Sequence, residues 1–410
     1  MKLLQVDTVA RAREKLKKAV RDQGVKKLRV PLEEALGGIL AEDVYAKEPV
    51  PGFDRSTVDG YAVRSADTAG ASDSVPVLLR ITGEIEMGRV PEHGILPGEC
   101  MYIPTGGMIP EGADAVVMIE YCELFSETET AVCHSVPAGG NIVRAGDDVQ
   151  EGEKVLTKGT RLRPQEVGLL AAVGEESVTV VKPWSVTIIA TGDELITPGD
   201  RMEPGKVRNI NNYGLEAIAR QMGFDINGCF LLKDERGLLE ETVRSAMRQS
   251  DIVAVSGGSS KGKKDETASV IGTLASEGIL TQGLALKPGK PTILGYDVPT
   301  GTILLGLPGH PSAAMIVFQL LIGWLWEDIS GGKKSWPVPA ELTVNVPAAP
   351  GRAVCQTVQL LRGEDGRTKA VPVFGRSGLI SILTKADGYI VIPENQEGLK
   401  KGEMVEVFLI

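Results

Sequence analysis

The spacing of apolar positions changes character along the chain. In residues 7–23 (DTVARAREKLKKAVRDQ), Val9, Leu16 and Val20 stand among charges at helical spacing, with Asp7 as a candidate N-cap. Residues 31–40 open on a proline and predict a second short helix. Between residues 49 and 137 the runs shorten and are cut by Gly and Pro. VPVLLRI (75–81), AVVMIEY (115–121) and TAVCHSV (130–136) read as strands. The mixed segment 141–182 carries a predicted helix at 164–173. The pattern predicts a β-rich domain (49–141) inserted into a discontinuous linker domain (1–48 and 142–182).

From residue 184 the alternation becomes regular. Strands at 185–190, 226–232, 251–256 and 302–306 alternate with helices around 213–222, 238–249, 265–276 and from 312. Short joints between them predict a doubly wound, mainly parallel sheet covered on both faces, spanning 183–330. The most apolar stretch, 312–326, is shorter than the ~20 residues that span a bilayer and contains Gln319, so it reads as a core helix. After Gly331-Gly332-Lys333-Lys334 come ELTVNV, TVQLL, AVPVF, YIVIP and MVEVFLI. They predict a small all-β domain at 335–410, a barrel. The fold class is therefore α/β plus β, in a multidomain chain.

Composition narrows the function. A length of 410 residues suits about three domains. Gly 49 and Pro 24 exceed ordinary usage and agree with many tight turns. Lys plus Arg (44) against Asp plus Glu (54) leaves a net charge of −10, which repels nucleic-acid phosphate. Five dispersed cysteines without a CxxC pair suit free thiols in a reducing compartment. Three histidines argue against a multi-histidine zinc site. The start, Met-Lys-Leu-Leu, runs into charged residues without a signal-peptide core, so a cytoplasmic protein with no membrane or nucleic-acid partner is expected.

In an open α/β sheet, ligands gather outside the carboxyl ends of the strands. The loops leaving those ends carry Thr191-Gly192-Asp193-Glu194, Lys233-Asp234, the run from Ser256 to Asp265, and Gly306-Leu307-Pro308-Gly309-His310-Pro311. Gly257 and Gly258 free main-chain N–H groups to approach an anion, Ser259, Ser260 and Lys261 add donors and charge, and a helix start at Asp265 adds a favourable dipole. Carboxylates beside phosphate make sense with Mg²⁺ between them, which predicts a phosphorylated ligand and a hard cation. Asp265 also reads as a simple N-cap, and the lysines as a solvated rim. GxxxxGK fits at 257–263, but Lys264 stands where a P-loop needs a hydroxyl, which disfavours a nucleotide hydrolase. Lys287 and Lys290 sit on the LKPGKP turn (286–291), and Asp59-Gly60 follows a polar loop and also reads as a hairpin turn.

PGFDRSTVDGYAV (51–63), PTGGMIPEGADAVVMIE (104–120), NIVRAGDDV (141–149), ATGDEL (190–195), SGGSSKG (256–262), LKPGKP (286–291) and GLPGHPSAA (306–314) stand in one order across nearly the whole chain. Together they resemble the molybdopterin molybdenumtransferase family, of gephyrin E-domain type. The resemblance implies an elongated four-part subunit and a homodimer with its cleft between the α/β domain of one copy and the inserted domain of the other. It implies insertion of molybdate or tungstate into adenylylated molybdopterin, with Mg²⁺ and release of AMP, and transient contact with the molybdopterin adenylyltransferase. Under it, Asp59 and Thr105 line the inserted-domain wall and Asp148 adds an acid. Glu194 and Asp234 hold Mg²⁺ or orient water, and Asp265, Lys287 and Lys290 meet phosphate or oxyanion. Pro308 and Pro311 shape the adjoining turn. The chain departs from the family at Gly283 and Thr357, where basic residues are common, and in its lysine-rich glycine loop. A non-catalytic pterin-binding or scaffolding role is the alternative; the carboxylates at 59, 194, 234 and 265 favour catalysis, since burying unneeded acids is costly.

Overall fold

The computed structural model describes residues 6–21, 24–257, 264–332, 336–375 and 378–410, and within these the side chains of Lys264 and Asp265 are left aside. The chain divides into two compact units, residues 29–180 and residues 1–28 with 181–410.

The first unit is built on a six-stranded sheet in the order Ala115–Met118, Gly60–Val63, Glu99–Ile103, Val77–Glu84, Glu129–Val132, Cys122–Ser126. Its pairs are antiparallel except Val77–Glu84 with Glu99–Ile103. Both faces are covered. Tyr61, Val63, Leu79, Cys100 and Val117 pack in one cluster, and Ala62, Ile95, Met101, Ile103 and Val116 in another. Two-sided burial explains why 60–63 and 115–118 read as unbroken apolar runs. The helix expected at 31–40 is only a 3₁₀ turn, Leu32–Glu34. Gly37 takes φ +81°, and a Cβ on Gly38 would stand 2.9 Å from Val180 Cγ1, so the chain breaks there and folds back tightly.

The helix expected at 164–173 is present as Pro164–Ala172. Glu166 accepts from the guanidinium Nε of Arg163 at 3.0 Å and from its backbone N–H at 2.9 Å. The guanidinium first, and then the backbone donor, hold the Glu166 carboxyl at about 2 against an ordinary 4.5. A carboxyl depressed on folding stabilises the fold above its unfolded value and loses that contribution as pH falls through the folded one. Glu166→Gln should therefore flatten the fall in melting temperature between pH 4.5 and 2. Parallel curves for the two proteins across that window would refute the pairing.

In the second unit, a six-stranded sheet runs Asp225–Leu232, Ser185–Thr191, Ile252–Gly257, Thr302–Leu307, Ile293–Asp297, Ile279–Gln282. The first four strands are parallel; Ile293–Asp297 runs against them, and Ile279–Gln282, antiparallel to it, runs with them again. Ile279–Gln282 is absent from the sequence expectation, because a short edge strand buries too little to leave an apolar run. Ile189, Val253, Val255 and Leu304 face helices Arg236–Met247 and Lys264–Leu274 in one core. By alternation Ile188, Ala254 and Leu305 turn to the other face, where helices Asn211–Gln221 and Pro311–Phe318 pack.

The apolar stretch is longer than expected: Pro311–Phe318 continues through a π-helical turn, Gln319–Gly323, into Trp324–Ser330. Its twenty residues reach membrane-crossing length, but Phe318, Leu321, Ile322 and Leu325 are buried in the unit's interior. Arg13 donates from Nε to the Leu320 carbonyl at 2.8 Å, and its guanidinium lies 4.9 Å from the Trp324 ring centre. The helix that carries Arg13, Val9–Val20, packs on this unit's sheet. Its cap is Thr8, which accepts from Arg11 N, rather than Asp7. Asp7 is buried and committed elsewhere, its carboxylate accepting from Lys15 Nζ at 2.6 Å and Thr281 Oγ1 at 2.8 Å.

Five strands close a barrel at the C-terminal end: Ala353–Arg362, Thr368–Pro372, Val338–Leu342, Met404–Leu409 and Gly388–Ile392, the last pairing back to the first. Leu342, Val358, Ile390, Ile392 and Val407 fill it. All five cysteines are free thiols, and burial pushes those of Cys100, Cys122 and Cys355 up to about 12.

Candidate functional site

Each unit gathers a set of the polar loops. In the unit of residues 29–180, three stretches far apart in sequence are sewn together. Ser56 and Arg55 pair with Ile142 and Val143, Ser56 N donates to Gly107 O at 3.0 Å, and Ala145 N donates to Asp54 Oδ1 at 2.8 Å. Asp59 and Thr105 meet directly, the Thr105 N–H donating to Asp59 Oδ1 at 2.6 Å. That donor holds the Asp59 carboxyl below its usual range, so the exposed side chain is an anion at neutral pH. Asp59-Gly60 is not a hairpin turn: Gly60 opens a central strand, and a Cβ there would lie 1.9 Å from the Val117 carbonyl oxygen. Asp148 is exposed, and its N–H donates to Val50 O at 3.0 Å, which ties the third stretch to the first.

In the other unit, adjacent parallel strands Ser185–Thr191 and Asp225–Leu232 release two acidic loops side by side. The loops are latched reciprocally, Asp234 N donating to Asp193 Oδ1 at 3.2 Å and Asp193 N to Asp234 Oδ2 at 3.4 Å. Lys206 Nζ donates to the Asp193 carbonyl at 2.8 Å. The Glu194 carboxylate folds back over Gly192, where a Cβ would stand 2.9 Å from each of its oxygens. Gly257 has φ +141° and lies so close to the next strand that a Cβ would meet Thr191 O at 2.2 Å. A cavity opens between these ends, lined by Thr191, Lys233, Asp234, Glu235, Leu239, Glu266 and Thr267.

Of the expected residues in this unit, Asp234 lines the cavity; Glu194, Lys287, Lys290, Pro308 and Pro311 do not. The LKPGKP turn is closed by Leu284 N donating to Lys290 O at 3.0 Å, and both lysines are exposed. A Cβ on Gly289 would lie 2.8 Å from Val317 Cγ2, so the turn packs on helix Pro311–Phe318. Pro308 and Pro311 are buried at the start of that helix. Gly258, Ser259, Ser260 and Lys261 lie outside the described residues, and Asp265 enters only by its backbone, in the first turn of Lys264–Leu274. Among the described residues no group of three or more His, Cys, Asp or Glu side chains is placed to hold a metal ion.

Residues 7–174 match the family described as MoeA N-terminal region (domain I and II), 187–326 "Probable molybdopterin binding domain", and 339–410 MoeA C-terminal region (domain IV). A molybdopterin molybdenumtransferase of Bacillus subtilis is 36% identical over 93% of this chain and 89% of its own length. One from Staphylococcus epidermidis is 33% identical, over 94% and 91%. The chain belongs to the molybdopterin molybdenumtransferase family. The crystal structure of a molybdopterin biosynthesis protein from Pyrococcus horikoshii superimposes with a TM-score of 0.82 at 35% identity, covering 99% of both chains. The chain is thus a transferase of molybdenum cofactor biosynthesis with the family's multidomain fold.

The structure explains the two departures from the family's basic positions. Gly283 has φ +99°, and a Cβ there would be 3.0 Å from Val6 Cγ1. Thr357 is buried in the barrel wall and donates from Oγ1 to Val373 O at 3.1 Å. Sequence reasoning placed Thr191 and Lys233 in the site loops without giving them a role, and missed Glu235, Glu266 and Thr267 as cavity residues. Lys233 and Glu235 flank Asp234, and Glu266 follows Asp265, so adjacency to a named acid was the available signal.

Proposed function

We propose that the chain takes adenylylated molybdopterin and molybdate or tungstate, hydrolyses the adenylyl phosphoanhydride, exchanges an oxo ligand of the oxyanion, lost as water with the two thiol protons, for the dithiolene sulfurs, and releases AMP. The observation that carries this reading is the pair of acidic loops latched at the carboxyl edge of the sheet beside a cavity. Water adds to phosphorus, the P–O–P bond breaks and AMP leaves, so no covalent nucleophile is required. The residues bind, orient and balance charge. Lys287 and Lys290 supply fixed positive charge for phosphate or oxyanion, and Asp59, Thr105 and Asp148 form a polar wall on the inserted domain. Asp265, Gly257, Gly258, Ser259, Ser260 and Lys261 are assigned to anion binding on the strength of the family motif, and Pro308 and Pro311 to shaping their own turn.

Mg²⁺ fits the donor set, because it takes one or two protein carboxylates and completes its shell with water and phosphate oxygens. Asp234 would hold it at the cavity, with Glu194, which lies outside that lining, as the second expected carboxylate, and when bound it would supply neutralisation of phosphate charge. Two copies would pair, so that the inserted domain of one faces the α/β domain of the other. The working setting would be the cytoplasm, in transient contact with the molybdopterin adenylyltransferase.

Purified protein should release AMP from adenylylated molybdopterin only when Mg²⁺ and molybdate or tungstate are both present. AMP release can be followed by chromatography with the two oxyanions in competition. Tight binding of the pterin without AMP release would instead support a scaffolding role.

A further inference from the structure

We propose that Asn211 is a positioning residue that sets the Pro308–Gly309–His310–Pro311 turn for the phosphorylated pterin. The proposal rests on the function above and goes beyond it in naming a residue that no site assignment includes. Three asparagines, Asn209, Asn211 and Asn212, are buried where helix Asn211–Gln221 begins. Asn209 Oδ1 accepts from Asn212 N at 3.2 Å and fixes the helix start. From this anchored point the two remaining amides reach in different directions. Asn212 Nδ2 donates to Phe230 O at 2.9 Å, near the end of the strand that leads to Asp234. Asn211 Nδ2 donates to Gly309 O at 3.1 Å, inside the turn that carries Pro308 and Pro311.

The other end of Asn211, like that of Asn212, is an Oδ1 buried without a hydrogen-bond partner among the described residues, Asn211 being only 8% exposed. A buried, unpaired acceptor destabilises the fold, and an apolar side chain of the same size would avoid that cost. Packing alone therefore does not call for an amide here; the tether to Gly309 does. The same helix approaches Pro311–Phe318 closely, a Cβ on Gly214 standing 3.1 Å from Met315 Sδ. Asn211 thus ties the turn to a helix that already packs tightly against the element following it.

The test is Asn211→Leu, which keeps a side chain of four heavy atoms branched at Cγ and removes both the orphan acceptor and the tether. Amide hydrogen exchange at Leu307, Gly309 and His310 should quicken about tenfold while that of 252–257 is unchanged, as expected for loss of one local hydrogen bond. KM for adenylylated molybdopterin should rise about tenfold with kcat within about twofold, the signature of lost substrate binding. Melting temperature should hold or rise, and Asn211→Gln, which keeps an amide donor, should recover part of the KM. Unchanged exchange and KM, or a fall in melting temperature with kinetics unaltered, would overturn the proposal. If the wild-type protein does not process the pterin, the functional reading fails by itself, and the exchange experiment still decides whether the tether exists.

Discussion

Asp59→Asn should leave the protein folded and lower kcat on the order of 10²- to 10³-fold, the range seen when one preorganised electrostatic group is removed from an active site. The reason lies in how Asp59 is held. Its Oδ1 accepts the Thr105 N–H at 2.6 Å, and the amide oxygen of asparagine can take the same bond. The substitution therefore preserves the local geometry and deletes one negative charge. That charge is present at neutral pH, because the Thr105 donor keeps the carboxyl below its ordinary range. Steady-state AMP release and a thermal melt on the same preparation separate the two effects. A variant with wild-type turnover would remove Asp59 from the catalytic cleft, and a large fall in melting temperature would make its role structural. Asp59→Ala is the companion: it also strips the acceptor from Thr105 N and should cost stability as well as rate.

The second large effect is one residue further on. Gly60→Ala should deprive residues 29–180 of a native fold, seen as loss of soluble protein or of that unit's thermal transition. The added Cβ would lie 1.9 Å from the Val117 carbonyl oxygen and 2.9 Å from its carbon, both backbone atoms of a paired strand. No side-chain rotation relieves a clash with backbone, so strands 60–63 and 115–118 would have to separate. Losing the pairing that holds the edge strand 115–118 to a sheet buried on both faces exceeds the ~0.5–3 kcal/mol typical of point substitutions. Normal expression and melting of Gly60→Ala would mean the two strands are less closely apposed than described.

These neighbours show where local reading reaches its limit. Asp-Gly between polar and apolar runs fits a hairpin turn, and nothing nearby argues otherwise. The deciding contact comes from Val117, on a strand that sequence reasoning placed correctly but could not pair. The same holds at the start of the chain: Asp7 has the right chemistry for a cap, yet Thr281 and Lys15 claim its carboxylate and Thr8 caps instead. Residues 31–40 kept a helical composition, and the glycine pair at 37–38, pressed against Val180, turned them into a 3₁₀ turn and a bend.

What the amino-acid order determined alone was the alternation of strand and helix from 184 to 330, the barrel strands after it, and the acidic and basic loops between them. Periodicity and turn chemistry are local properties, and each of those elements buries its own apolar stripe. The ordered motifs likewise marked the family before any coordinates. Only the tertiary structure decided that the Asp193 and Asp234 loops latch to each other, that Glu266 and Thr267 share their cavity, and that Asn211 reaches Gly309 across 98 residues of sequence. A hydrogen bond between distant residues leaves no spacing in the chain to read, because its partners are brought together by the packing of everything between them.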